Sequence, residues 1–298
     1  TSLGIEKGES LAVMHPNGRG GIIALYAALY GGFRATMINL AAGPDAICYA
    51  LEHSEARFAF VHPDYLDAFK AVAPKSIATL DGDARSDAAL HALEASDHAL
   101  LMYTSGTTGR PKGVVHTNAS LLAGGWTTAT AHQLAQEDRG FCVLPIYHIN
   151  GLCVTVMGAL VSGGSLAIAS RFSASNFWDQ AEEACITWFS VVPTIVSHLL
   201  HNASEPTEDT KARIRFGRSA SSALAVETQT AFEARFGVPI VETMGLTETA
   251  AQILSNPLPP GVRKIGSPGM AFGNEVRVLA PDLTECAPDT EGEIAVLD

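Results

Sequence analysis

Positive charge is scarce in this sequence: 19 Lys and Arg stand against 31 Asp and Glu, a formal net charge of −12. No cluster of basic residues forms a track for a nucleic-acid backbone, so DNA, RNA and anionic membrane surfaces are set aside as partners. Cysteine is thin as well. Cys48, Cys142, Cys153, Cys185 and Cys286 are scattered and none forms a C-x-x-C pair, which argues against a zinc site or a redox dithiol. The expectation is free thiols in a reducing cytoplasm. No charged n-region followed by an apolar h-region opens the chain, so nothing reads as a signal peptide. Residues 140–170 carry no fixed charge and have the length of a membrane span. They include Pro145, His148, Asn150, Thr155 and the Gly163-Gly164 pair, and read instead as loop, helix, turn and buried strand.

Three common signatures are missing too. The phosphate loop G-x-x-x-x-G-K-[ST] fails because Arg110 and Pro111 separate Gly109 from Lys112. The dinucleotide pattern G-x-G-x-x-G fails because Gly18 and Gly20 are followed by Ile23 where the third glycine belongs. There is no G-x-S-x-G nucleophile elbow, and no repeat at a solenoid period.

What is present is apolar mass with a regular rhythm. The 298 residues are 47% hydrophobic, enough to bury a large core as one big domain or two ordinary ones. "SLAVMHPNG" reads as a strand ending in a turn, "GIIALYAALYGG" as a helix stopped by two glycines, "ATMINL" as a strand, "PDAICYALEHSE" as a helix and "RFAFVH" as a strand. This alternation is that of a parallel sheet. Residues 71–97 are more polar and read as a connection. From residue 98 the rhythm resumes with the strand "ALLMYTSG" and a helix from Thr117, with Asn118 as its N-cap. There follow the strand "RGFCVLP", the helix "HINGLCVTVMGALVSGG", the strand "SLAIA" and a helix over "ASNFWDQAEEACI". "TWFSVVPTI" and "IRFGRSAS" read as strands, "AVETQTAFEARFG" as a helix and "PIVETMG" as a strand. Beyond about Pro257 short strands punctuated by Gly and Pro predict a small β-rich lobe. The expected fold is therefore α/β, with two stacked, mostly parallel βαβ lobes: a first lobe over 1–70, a second over 98–256, and the start of a β-rich lobe over 257–298.

"LMYTSGTTGRPKGVVHTN", residues 101–118, is either a flexible linker or a phosphate holder. Glycines let backbone N–H groups approach an anion, hydroxyls donate further hydrogen bonds and Lys112 adds charge. A linker would not ordinarily run into Pro-Lys-Gly and a pair of valines.

This run resembles the signature of the adenylate-forming enzymes: acyl-CoA synthetases, luciferases and the adenylation domains of peptide synthetases. "LPIYHINGL", "RFSASNFW", "TWFSVVPTI", "RSASSAL" and "ETMGLTETAAQILSNPLPPGVRKIGSPG" follow in that family's order, so the resemblance covers nearly the whole chain. The wording is most similar to the branch containing oxalate:CoA ligase and the carnitine/crotonobetaine:CoA ligases. The resemblance implies an ATP-dependent acid:CoA ligase, with Mg²⁺ and coenzyme A as companions and a small or polar carboxylic acid as substrate. Loading of a carrier protein, and a non-catalytic nucleotide-binding module, stand as alternatives.

It also implies roles for particular residues. Thr104, Ser105, Gly106, Thr107 and Thr108 would hold the β and γ phosphates, with Gly109 and Lys112 beside them. Thr247 would meet the α phosphate and Glu248 would ligate Mg²⁺, although a Thr-Glu pair taken alone reads as a helix start. Ser221, Ser222 and Ala223 match the adenine loop, and Glu242 and Thr243 the segment lining the nucleotide. Met244 stands where relatives carry an aromatic residue against adenine, and offers a softer apolar surface. His148 matches the histidine between acyl pocket and nucleotide, orienting the carboxylate; Ser190 and Val192 would line the acyl pocket. The family's large domain continues to a ribose-binding aspartate, a hinge and a small domain with a catalytic lysine, which are expected beyond Asp298.

Overall fold

The computed structural model describes residues 4–80, 90–104 and 110–297. Two sheets form its frame. The first contains β1 (Ser10–Met14), β2 (Arg34–Met37), β3 (Phe58–Val61), β4 (Ala78–Thr79), β5 (His98–Thr104) and β6 (Lys112–Thr117), in the order β4-β3-β1-β2-β5-β6. All neighbours are parallel except β5 and β6. Between these strands run α1 (Arg19–Tyr30), α2 (Pro44–His53) and α3 (Leu66–Val72).

After β6 come α4 (Asn118–Ala131), β7 (Arg139–Cys142), a π-helical stretch (Asn150–Met157) that continues as α5 (Gly158–Ser162), and β8 (Ser165–Ile168). The chain proceeds through α6 (Phe177–Glu183), β9 (Trp188–Val191), α7 (Pro193–Asn202), α8 (Glu208–Arg213), β10 (Phe216–Ser219) and α9 (Val226–Phe236). It ends with β11 (Ile240–Leu246), β12 (Ala251–Ser255), β13 (Met270–Ala271), β14 (Glu275–Leu279) and β15 (Glu293–Leu297). The second sheet is ordered β13-β12-β11-β10-β9-β7-β8, and β14 and β15 form a separate antiparallel pair.

The period-2 alternation of the strands explains the layering. In β1, Leu11 and Val13 face a core shared with α1, α4 and the π-helical stretch, while Ala12 and Met14 face the cluster built on α2 and α3. In β9, Trp188 faces the shared core and Phe189 faces the cluster holding Phe177, Trp178, Phe232 and Phe236. The shared core draws on both sheets, so the layers run helices, sheet, helices, sheet, helices.

The α/β reading of two mostly parallel sheets agrees with this architecture. Several local expectations do not. "KGVVHT" pairs with β5 as β6, which places both strands in the first sheet. Sheet membership therefore changes between Thr117 and Arg139, not at residue 98. The N-cap of α4 is Thr117, whose Oγ1 accepts from the Ser120 N–H at 3.1 Å while Ser120 Oγ accepts from the Thr117 N–H at 2.9 Å. Asn118 is the first helical residue and donates to the Glu94 carbonyl instead. Residues 140–170 form a buried strand, a largely buried helix and the half-buried strand β8, and among the described residues no helix is long and apolar enough to cross a membrane.

Candidate functional site

In each sheet the strand order reverses around one strand: β1 lies between β3 and β2, and β7, next to the edge of its sheet, lies between β8 and β9. A crevice opens beyond the carboxyl ends of the strands at such a reversal. Loops from both sheets are tied together there. Asn17, just after β1, donates from Nδ2 to the Leu144 carbonyl at 2.9 Å and accepts the Ile146 N–H at Oδ1, 3.0 Å. This clamps the segment after β7 that carries His148.

His148 is exposed, with its ring against Tyr147 at 4.9 Å between centroids. The protein around it displaces enough water to lower its pKa, favouring the neutral imidazole. Two residues on, Asn150 is buried at the start of the π-helical stretch. Its Nδ2 donates to Ser221 Oγ at 3.3 Å, and its Oδ1 accepts from Ser190 Oγ at 3.0 Å and Arg218 Nη1 at 2.9 Å. Ser221 has φ 78°, a left-handed conformation that a non-glycine side chain resists, and it is held there at the end of β10. Ser222 and Ala223 follow it on the surface. Glu242 is buried on β11, where its Oε1 accepts the Leu224 N–H at 2.9 Å and fixes this loop from behind.

A cavity of about 20 Å³ lies among these loops, lined by Ile149, Asn150, Arg218, Ser221, Gly245 and Ala251, with Val154 and Ala220 completing the wall. A single water requires roughly 10–15 Å³, so the innermost space holds about one water or a group of that size, and it opens to solvent. Ser190 and Val192 do not line it; Ser190 stands behind it, bonded to Asn150 and Arg218.

Thr247 and Glu248 sit in the turn of the β11–β12 hairpin, not at a helix start. Gly245 permits the turn: a side chain there would overlap the Ala251 carbonyl oxygen. Ala250 and Ala251 take φ values of 52° and 99°, and the pairing slips between Met244 and Gly245. Met244 is half-buried opposite Leu254. The turn is held to β6 by His116, whose Nε2 donates to the Thr247 carbonyl at 2.7 Å, leaving Nδ1 to accept from Ser120 Oγ at 3.3 Å. Burial lowers the pKa of His116, while the Thr247 carbonyl and the Glu248 charge act to raise it. Thr104 and Lys112 face one another as the last β5–β6 pair. They frame Ser105, Gly106, Thr107, Thr108 and Gly109, which lie outside the described residues.

The structure thus brings Ser221, Glu242 and Gly245 around one crevice and links Thr247 to the strand that begins at Lys112. Glu242 Oε2 and Thr243 Oγ1 are buried with no hydrogen-bond partner among the described residues, as a site that receives polar groups from a ligand would leave them. No group of three or more His, Cys, Asp and Glu is placed to hold a metal alone among the described residues. A metal arriving on a polyphosphate needs only one or two protein carboxylates, and the exposed Glu248 meets that demand. Sequence reasoning missed Asn17, His116, Asn150 and Arg218. The legible signals were an arginine inside the aromatic strand "RFGRS" and an asparagine inside the apolar run after His148.

A family model described as AMP-binding enzyme matches residues 1–297. The sulfoacetate–CoA ligase of Cupriavidus necator is 43% identical over 98% of this chain and 60% of its own length. The oxalate–CoA ligase of Arabidopsis thaliana is 30% identical over 98% of this chain and 61% of its own. ATP-bound MatB from Rhodopseudomonas palustris superposes with a TM-score of 0.87 at 28% identity, covering 99% of this chain and 61% of that one. The chain spans about three fifths of the length of these two curated relatives.

Proposed function

The chain belongs to the AMP-binding enzyme family, and from that premise we propose that the protein containing it is an ATP-dependent acid:CoA ligase acting on a small, polar carboxylic acid. It joins the acid to AMP with loss of pyrophosphate and then passes the acyl group to the thiol of coenzyme A. The observation that carries the reading is the convergence of Asn150, Ser221 and Gly245 on one small cavity at the carboxyl ends of the second sheet, beside a hairpin turn bonded to β6. The relatives named for sulfoacetate and oxalate act on acids of this size.

In this reading Ser105–Gly109, with Thr104 and Lys112 at their borders, receive the β and γ phosphates, and Thr247 donates to the α phosphate. Ser221, Ser222 and Ala223 flank the adenine, with Glu242, Thr243 and Met244 along the nucleotide. His148, neutral at physiological pH, donates a hydrogen bond to the substrate carboxylate and aims it at the α phosphorus. Glu248 would hold Mg²⁺, which when bound offsets the phosphate charge that repels the incoming carboxylate. His116 and Asn17 are positioning residues: one holds the turn of Thr247 and Glu248, the other holds the segment of His148.

The test is acid-dependent ATP–pyrophosphate exchange by the whole protein, followed by product analysis after coenzyme A is added. AMP and acyl-CoA are the expected products, and nucleotide binding with no exchange for any short acid would overturn the reading. Glu248→Ala is expected to lower exchange about 100-fold and raise the Mg²⁺ concentration needed for half-activity; an unchanged Mg²⁺ requirement would remove Glu248 from the metal site.

A further inference from the structure

Arg218, on β10, has 1% of its surface exposed. An interior guanidinium without a counter-charge is costly, and such charges are ordinarily paired. Here the partners are neutral. Nη1 donates to Asn150 Oδ1 at 2.9 Å and to Ser190 Oγ at 3.2 Å, and Nε donates to Gln252 Oε1 at 3.4 Å. Nη2 has no protein partner among the described residues, and none of their ion pairs involves Arg218.

The thiol of Cys153 lies within electrostatic reach, but burial pushes its pKa up to about 12, so it stays protonated and supplies no anion. Burial also pulls Arg218 down to about 9, which still leaves the guanidinium charged at neutral pH. The neutral oxygens hold the planar group in one orientation and leave its charge unspent. Arg218 lines the small cavity together with Asn150 and Ser221, on the floor between the loop after β7 and the loop after β10.

Resting on the ligase reading above, we propose that Arg218 is a specificity residue that binds a second anionic group of the acid. The substrate carries a carboxylate or sulfonate a short distance from the carboxylate that is activated. The planar guanidinium matches both groups, and an apolar chain in their place would leave the buried charge without a counter-ion.

The experiment compares malonate, its analogue with one carboxylate replaced by sulfonate, and propionate, which has malonate's carbon count and one anionic group. Acid-dependent pyrophosphate release by the whole protein is measured for the native sequence, Arg218→Met and Arg218→Lys. The native protein is expected to favour a dianion over propionate by about 30-fold or more in kcat/KM, the scale of one charged hydrogen bond. Whichever dianion is preferred identifies the second group as carboxylate or sulfonate. Arg218→Met is expected to erase the preference mainly through the KM of the dianion, with the KM for ATP within about twofold and partial recovery in Arg218→Lys.

Propionate used as well as both dianions by the native protein would overturn the proposal, and that comparison needs no variant to fold. So would an equal loss for all three acids in Arg218→Met. If no acid supports pyrophosphate release, the ligase reading fails. Calorimetric binding of malonate or its sulfonate analogue, present in the native protein and lost in Arg218→Met, would then still uphold the anion site, and absence of binding of both in the native protein would overturn it.

Discussion

His132 and Arg218 share one acceptor, the Oε1 of Gln252, at 3.1 Å and 3.4 Å. Because that oxygen already receives Arg218 Nε, it can only accept from His132 Nε2, which makes the neutral Nε2–H tautomer the one that fits; Nδ1 is buried without a partner. A proton on Nδ1 would be stranded. Burial, with the Arg218 charge next, lowers the pKa of His132 to about 3. The sign follows directly. Between the ordinary histidine value of about 6.5 and the folded value, the unfolded chain binds a proton that the folded chain refuses, so stability is full above the former and is lost as pH falls. His132 alone contributes a slope of about 1.4 kcal/mol per pH unit in that window. Urea unfolding from pH 7.5 to 4.5 is expected to show a shallower pH dependence in His132→Gln, by about one proton. Identical slopes in the two proteins would place the titration elsewhere. None of this was legible in the sequence, where "TAHQL" reads as the end of a helix; the partner Gln252 is 120 residues away.

Among the elements, α4 and the β11–β12 hairpin make a close approach that decides the effect of a substitution. Gly124 faces the turn: a Cβ there would overlap the Ala250 carbonyl oxygen and press on Cys153 Sγ. Alanine is the better helix former by about 1 kcal/mol in an exposed helix, so propensity alone makes Gly124→Ala stabilising. The close approach reverses the sign. Gly124→Ala is expected to destabilise by about 1–3 kcal/mol in urea unfolding, and to raise the KM for ATP by moving Thr247 and Glu248; a gain in stability would show that the turn does not bear on α4. The helices and parallel strands were readable because their apolar residues recur at 3.6 or 2 positions. The strand β6 was not, because "KGVVHT" is half-exposed and reads as the tail of a glycine-rich loop. The geometry of the Thr-Glu turn was not readable for a related reason: it is set by Gly245 and the strained Ala250 and Ala251, and tertiary closeness leaves no local pattern. The candidate site was legible as motifs, and Asn150 and Arg218 left a trace as polar residues within apolar or strand patterns, while Asn17 and His116, which hold the motifs in place, were visible only once distant strands met.

For the whole molecule, the informative fact is that the motif residues divide between two sheets. Thr104 and Lys112 close a strand pair of the first sheet, whereas Ser221, Thr247 and Glu248 follow strands of the second. The two are joined at this edge by Asn17 to Leu144 and Ile146, and by His116 to Thr247. A nucleotide gripped by both groups would add to these few bonds and stabilise the two edges as a unit. Ligand held at 100 times its dissociation constant stabilises the bound form by about 2.7 kcal/mol, enough to slow local opening roughly 100-fold. Hydrogen exchange on adding Mg²⁺ and ATP is therefore expected to slow in β6 and in the β11–β12 hairpin at the same nucleotide concentration, with little change in β14 and β15, which pair only with each other. Protection confined to one sheet would mean that the nucleotide does not span them. Slowing of β14 and β15 to the same extent would mean that it stabilises the chain globally rather than at this edge.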